Sequence, residues 1–148
     1  MSPASTGDAR SGSARLRVLV YSDDRTMRKQ VQLLLGPRPA AGLPAVEYLE
    51  CATEPAVIRV MDSGVVDLAI LDGEATPAGG IGICRQLKAE IYRCPPILVL
   101  IARPQDAWLA NWSQADATVL APMDPIEFPQ VVAGLLADRA ALPAGPGA

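Results

Sequence analysis

Short apolar runs rich in β-branched residues alternate along the chain with stretches in which apolar residues recur every three or four positions. That alternation predicts a parallel sheet covered by helices on both faces. The runs are Leu16 to Tyr21, Val46 to Cys51, Val66 to Leu71, Ile97 to Ile101 and Ala117 to Leu120. All are of strand length, and most are too continuously apolar to leave one face in water. Between them, Met27, Val31, Leu34 and Leu35 fall at helical spacing, and Ser22-Asp23-Asp24 ahead of them offer side-chain oxygens to cap the first turn. Pro55 suits a first helical turn, followed by the stripe Val57, Ile58 and Met61, which Gly64 ends. A third helix is predicted over Ile81 to Ile91, stopped before Pro95-Pro96, and a fourth from about Asp106 to Gln114. The fifth begins after Pro125 and carries Phe128, Val131, Val132, Leu135 and Leu136.

Right-handed crossovers turn this βα alternation into a doubly wound α/β sheet, read as one domain over residues 15–140. The flanks, 1–14 and 141–148, are dominated by small residues, Pro and Gly, with too few large apolar groups to pack, and are expected to be disordered tails. No effector domain is expected after the fold. With 50% hydrophobic and 20% charged residues, the composition is that of a soluble globular protein.

The net charge of −3 and the absence of any basic cluster larger than Arg28-Lys29 argue against DNA as a partner. No apolar run reaches the roughly eighteen residues of a membrane span, and the N-terminus does not read as a signal peptide, so a cytoplasmic protein without membrane insertion is expected. Cys51, Cys84 and Cys94 are odd in number and lack C-x-x-C spacing, which points to reduced, packed thiols. Histidine is absent, which removes Ser-His and Cys-His dyads. No Gly-rich phosphate loop follows a strand and no nucleophile has a base beside it, so no enzyme activity is expected.

Ligands of doubly wound sheets sit beyond the carboxyl ends of the strands. Those ends carry Ser22, Asp23 and Asp24 after the first strand and Asp72 after the third. Ile101 and Ala102 follow the fourth, and Ala121-Pro122 the fifth. Taken alone, Asp72 has two roles open to it: a reactive carboxylate, or a strand-end acid that accepts from turn amides. Asp23 and Asp24 are likewise open to capping a helix, to holding a cation, or to both. Arg25 and Arg103 are candidates for approaching an anion there.

The segment from Arg17 through Ser22-Asp23-Asp24 to Arg28 resembles the first strand and acidic turn of bacterial response-regulator receivers. Val66 to Gly80, an apolar strand ending in Asp72, resembles their phosphoacceptor segment. Cys94 to Ala102 and Ala115 to Pro122 are similar to their fourth and fifth strands. The resemblance spans Leu16 to Leu136 and implies a flavodoxin-like (βα)5 sandwich with strand order 2-1-3-4-5. It implies Asp72 as phosphoacceptor, a weak Mg2+ site made by Asp23, Asp72 and the backbone carbonyl of Glu74, and a histidine kinase as partner. A hard divalent cation suits such oxygens.

The departures from the family pattern are as informative. Ser22 stands where the first of two adjacent acids is usual, and Ile101 replaces the hydroxyl residue at the end of the fourth strand. Ala121 replaces the Lys before Pro122, Thr118 replaces a frequent aromatic, and Pro77 lies one position late. Donors and cations aimed at developing charge contribute about 3–4 kcal/mol each, so these changes predict slow phosphorylation or one uncoupled from shape change.

Output is therefore expected by contact with a protein target that the sequence does not name. The surface is the fourth helix, fifth strand and fifth helix, where Trp108 and Trp112 are spaced by four, and a homodimer is left open. The alternative for the tryptophans is that at least one packs into the core. The alternative for the whole chain is a phosphorylation-independent adaptor or assembly subunit that keeps the fold as a scaffold.

Overall fold

In the computed structural model, which describes residues 15–141, the five apolar runs pair side by side as one parallel sheet. The elements are β1 (Leu16–Tyr21), α1 (Arg25–Leu35), β2 (Val46–Cys51), α2 (Glu54–Asp62), β3 (Leu68–Asp72) and α3 (Gly80–Glu90). They continue with β4 (Ile97–Ile101), a 3-10 turn (Pro104–Asp106), α4 (Ala107–Trp112), β5 (Ala117–Leu120) and α5 (Glu127–Ala141). The sheet order is β2-β1-β3-β4-β5, the flavodoxin-like arrangement. The expected tails at 1–14 and 142–148 lie outside the described residues, while Ala141 belongs to α5.

The period of two along each strand divides the core between two faces. Val18, Val20, Leu68, Ile70, Leu98 and Leu100 pack on one side against Val31 and Leu35 of α1 and Phe128, Val132 and Leu136 of α5. Leu19, Tyr21, Ala69, Leu71, Val99 and Ile101 pack on the other against Val57 and Met61 of α2 and Ile83, Cys84 and Leu87 of α3. A slip of one residue in any central strand would exchange the two sets, so register is tightly specified.

Local chemistry sets the helix ends. Asp24 caps α1 by accepting from the Thr26 amide at 2.9 Å, and Gly36 ends it with φ +65°, a left-handed turn that disfavours a side chain. Thr53 caps α2 ahead of Pro55.

α3 is shifted by one residue from the sequence reading, and β3 and α4 differ from it more. β3 begins at Leu68 rather than Val66, because Asp67 turns back to β1: its carboxylate accepts from the Arg17 amide at 2.8 Å, and its own amide donates to the Arg17 carbonyl at 2.8 Å. At its other end the strand runs one residue further than expected, so that Asp72 is its last residue, paired with Leu100. α4 is shorter than expected, since residues 104–106 form the tighter 3-10 turn and Gln114, with φ +69°, has already left the helix.

Candidate functional site

Tyr21 pairs with Leu71 across β1 and β3, which delivers Ser22 beside Asp72 at the carboxyl end of the sheet. Ser22 is fully buried and Asp72 is 5% exposed. The Ser22 hydroxyl donates to Oδ2 of Asp72 at 2.8 Å, and the Glu74 amide donates to Oδ1 at 2.9 Å. Both carboxylate oxygens thus carry a donor, the usual requirement for burying an anion.

The three polar residues after β1 divide their tasks. Ser22 takes Asp72 and also accepts from the Asp24 amide at 3.0 Å. Asp24 caps α1. Asp23 reaches across to the loop after β3, where Thr76 donates its amide to Oδ1 and its hydroxyl to Oδ2, both at 3.1 Å. Underneath, the Arg28 guanidinium donates to the Ser22 carbonyl at 2.7 Å and to Oε1 of Glu50 at 2.8 Å. Hydrogen bonds from Gln32 and Arg28 hold the Glu50 carboxyl below its ordinary pKa.

Glycine is needed where α3 meets the strand end. A Cβ on Gly80 would lie 2.8 Å from both the Asp72 carbonyl oxygen and Leu71 Cβ. The helix start is pressed against the backbone of Asp72, which only a hydrogen at that position permits.

Asp23, Asp24, Asp72 and Glu74 line one side of an open cleft of about 510 Å³. Met27, Ile101, Ala102, Ala121 and Pro122 complete its wall. The structure thus brings together the residues expected at the strand ends, Asp23 and Asp72 among them. Among the described residues, no three His, Cys, Asp or Glu side chains converge closely enough to hold a metal ion. Neither expected arginine lines the cleft. Arg25 lies with Lys29, Gln32, Leu33 and Glu50 around a separate hollow, and Arg103 makes two bonds to Asp106, at 3.0 and 3.1 Å.

The tryptophans correct the core reading: Trp108 is 67% exposed and Trp112 52%. α4 buries the small Ala110 instead. The Arg85 guanidinium of α3 stacks 4.7 Å from the Trp112 ring centre and donates to its carbonyl at 3.1 Å. Leu120 of β5 and Ile126 before α5 are exposed as well.

Two contributors were missed in the sequence: Thr76, which reads only as part of a Pro-Gly turn, and Arg28, which reads only as half of a basic pair. Nothing local signals either, because their partners come from other elements.

No family model matches the chain. It is 56% identical over 124 residues to a response regulatory protein found in two strains of Mycobacterium tuberculosis, covering 84% of this chain and 93% of the relative. Among solved structures it is similar to a Francisella response-regulator receiver domain, with TM-score 0.70 and 16% identity over 84% of this chain and 98% of the other. It is also similar to a CheY-like receiver protein of Methanospirillum hungatei, with TM-score 0.66 and 17% identity over 86% and 98%.

Proposed function

The chain belongs to the response-regulator receiver family of two-component signalling, and from that premise we propose that it signals by binding another protein, with Asp72 as the carboxylate a histidine kinase would address. The observation that carries this reading is the position of Asp72: last residue of β3, at the rim of the cleft formed by the strand ends. The surface offered for output is α4 with β5 and the start of α5, where Trp108, Trp112, Leu120 and Ile126 stand exposed.

The wall opposite Asp72 is poor in phosphate-binding chemistry. Ile101 and Ala121 have no side-chain donor, so an incoming phosphoryl group would lack a fixed hydroxyl and a fixed cation. Slow phosphorylation is the expected consequence.

The bond from Ser22 to Asp72 favours a second reading, a phosphorylation-independent adaptor whose Asp72 is part of the scaffold. Incubation with a small phosphodonor, with and without magnesium, followed by intact-mass measurement separates the two. A phosphoryl adduct that vanishes in Asp72→Asn supports the acceptor reading; no adduct under either condition overturns it in favour of the adaptor.

A further inference from the structure

We propose that Ser22 sets the selectivity of this site against divalent cations: by donating its hydroxyl to Asp72 it makes Asp72 a hydrogen-bonded carboxylate rather than a metal ligand. Three sets of observations meet at this point. The first is the charge inventory. Of the four acids on the cleft wall, Asp72 is held by Ser22 and the Glu74 amide, Asp24 caps α1, and Asp23 has both oxygens on Thr76. The exposed Glu74 carboxylate and Oδ2 of Asp24 are left uncommitted on that wall.

The second is the cost of exchange. A magnesium ion demands near-octahedral oxygen ligands at close range and gives up water reluctantly. One donor already sits on each of the four oxygens of Asp23 and Asp72, so an ion that took both would have to share or displace these bonds. The Thr76 amide and hydroxyl, which are exposed, would then have to give up Asp23 for water. Ser22, being neutral, adds no anionic oxygen in return.

The third is the cation already present. The Arg28 guanidinium at 2.7 Å from the Ser22 carbonyl is a permanent positive charge directly beneath the turn. Glu50 at 2.8 Å balances its charge, but the guanidinium bond occupies the Ser22 carbonyl, an oxygen that a cation could otherwise take.

Titration of the intact chain with magnesium chloride, followed by calorimetry and by amide NMR shifts of residues 22–24 and 72–76, tests the inference. It reads cation binding directly, so its outcome is separate from whether Asp72 accepts phosphate. The wild type is expected to show no saturable binding up to about 10 mM, and Ser22→Asp to acquire binding at least about tenfold tighter. Saturable wild-type binding that disappears in Asp72→Asn would overturn the inference, and this comparison does not depend on Ser22→Asp folding. A folded Ser22→Asp that binds no better than wild type would overturn it equally.

Discussion

The hydroxyl of Ser22 donates to Oδ2 of Asp72 at 2.8 Å, joining the ends of β1 and β3 across fifty positions of sequence. Ser22→Ala removes the donor and leaves one oxygen of a buried carboxylate short of a partner. Hydrogen bonds to charged groups contribute about 1.5–3 kcal/mol, so the variant is expected to unfold in urea with stability lowered by about that amount. An unchanged midpoint would show that water replaces the hydroxyl without loss.

Gly80 is packed closely against the end of β3. Gly80→Ala drives a methyl group to 2.8 Å from the Asp72 carbonyl, and backbone atoms cannot step aside as a flexible side chain can. Overpacking of this kind costs about 1–3 kcal/mol. Thermal unfolding should show the loss, and amide shifts should change at Leu71 and Asp72 before they change elsewhere.

Alkaline stability should depend on Tyr48. Its phenol donates to the Gly36 carbonyl, and burial pushes its pKa up from 10.0 to about 12. A folded pKa above the unfolded one means that the unfolded chain releases the proton first. The contribution is therefore complete below pH 10 and is lost as pH rises from there toward 12. Tyr21, raised chiefly by burial and then by Asp23, adds to the same slope. Tyr48→Phe should be less stable at pH 7 by about 0.5–1.5 kcal/mol for the lost bond, yet show a shallower decline between pH 10 and 12. Equal slopes in denaturation series across that window would remove Tyr48 from the account.

The two tryptophans should separate stability from binding. Trp108→Ala changes an exposed side chain and is expected to shift unfolding by no more than about 0.5 kcal/mol. Trp112→Ala also removes the Arg85 stack and should cost about 0.5–1 kcal/mol. Against a partner captured with the wild-type chain, each variant should weaken binding about tenfold or more if the ring is an anchor. Wild-type affinity in both would move the contact surface away from α4.

The strands, their order of appearance, the helical stripes and the βα alternation were legible in the sequence. Each rests on short-range physics, a period of two or of three to four apolar residues with caps and breakers at the ends. Asp72 at a strand end was legible for the same reason, whereas Gly80 eight residues later entered through the family resemblance. The tertiary structure alone decided how Ser22, Asp23 and Asp24 divide among Asp72, Thr76 and the start of α1. The three are adjacent polar residues with similar local options, and their assignment depends on which distant groups the sheet register delivers. The exposure of Trp108 and Trp112 was decided in the same way: a helix of six residues can turn only one narrow face inward, and packing against α3 and β4 gave that face to Ala110.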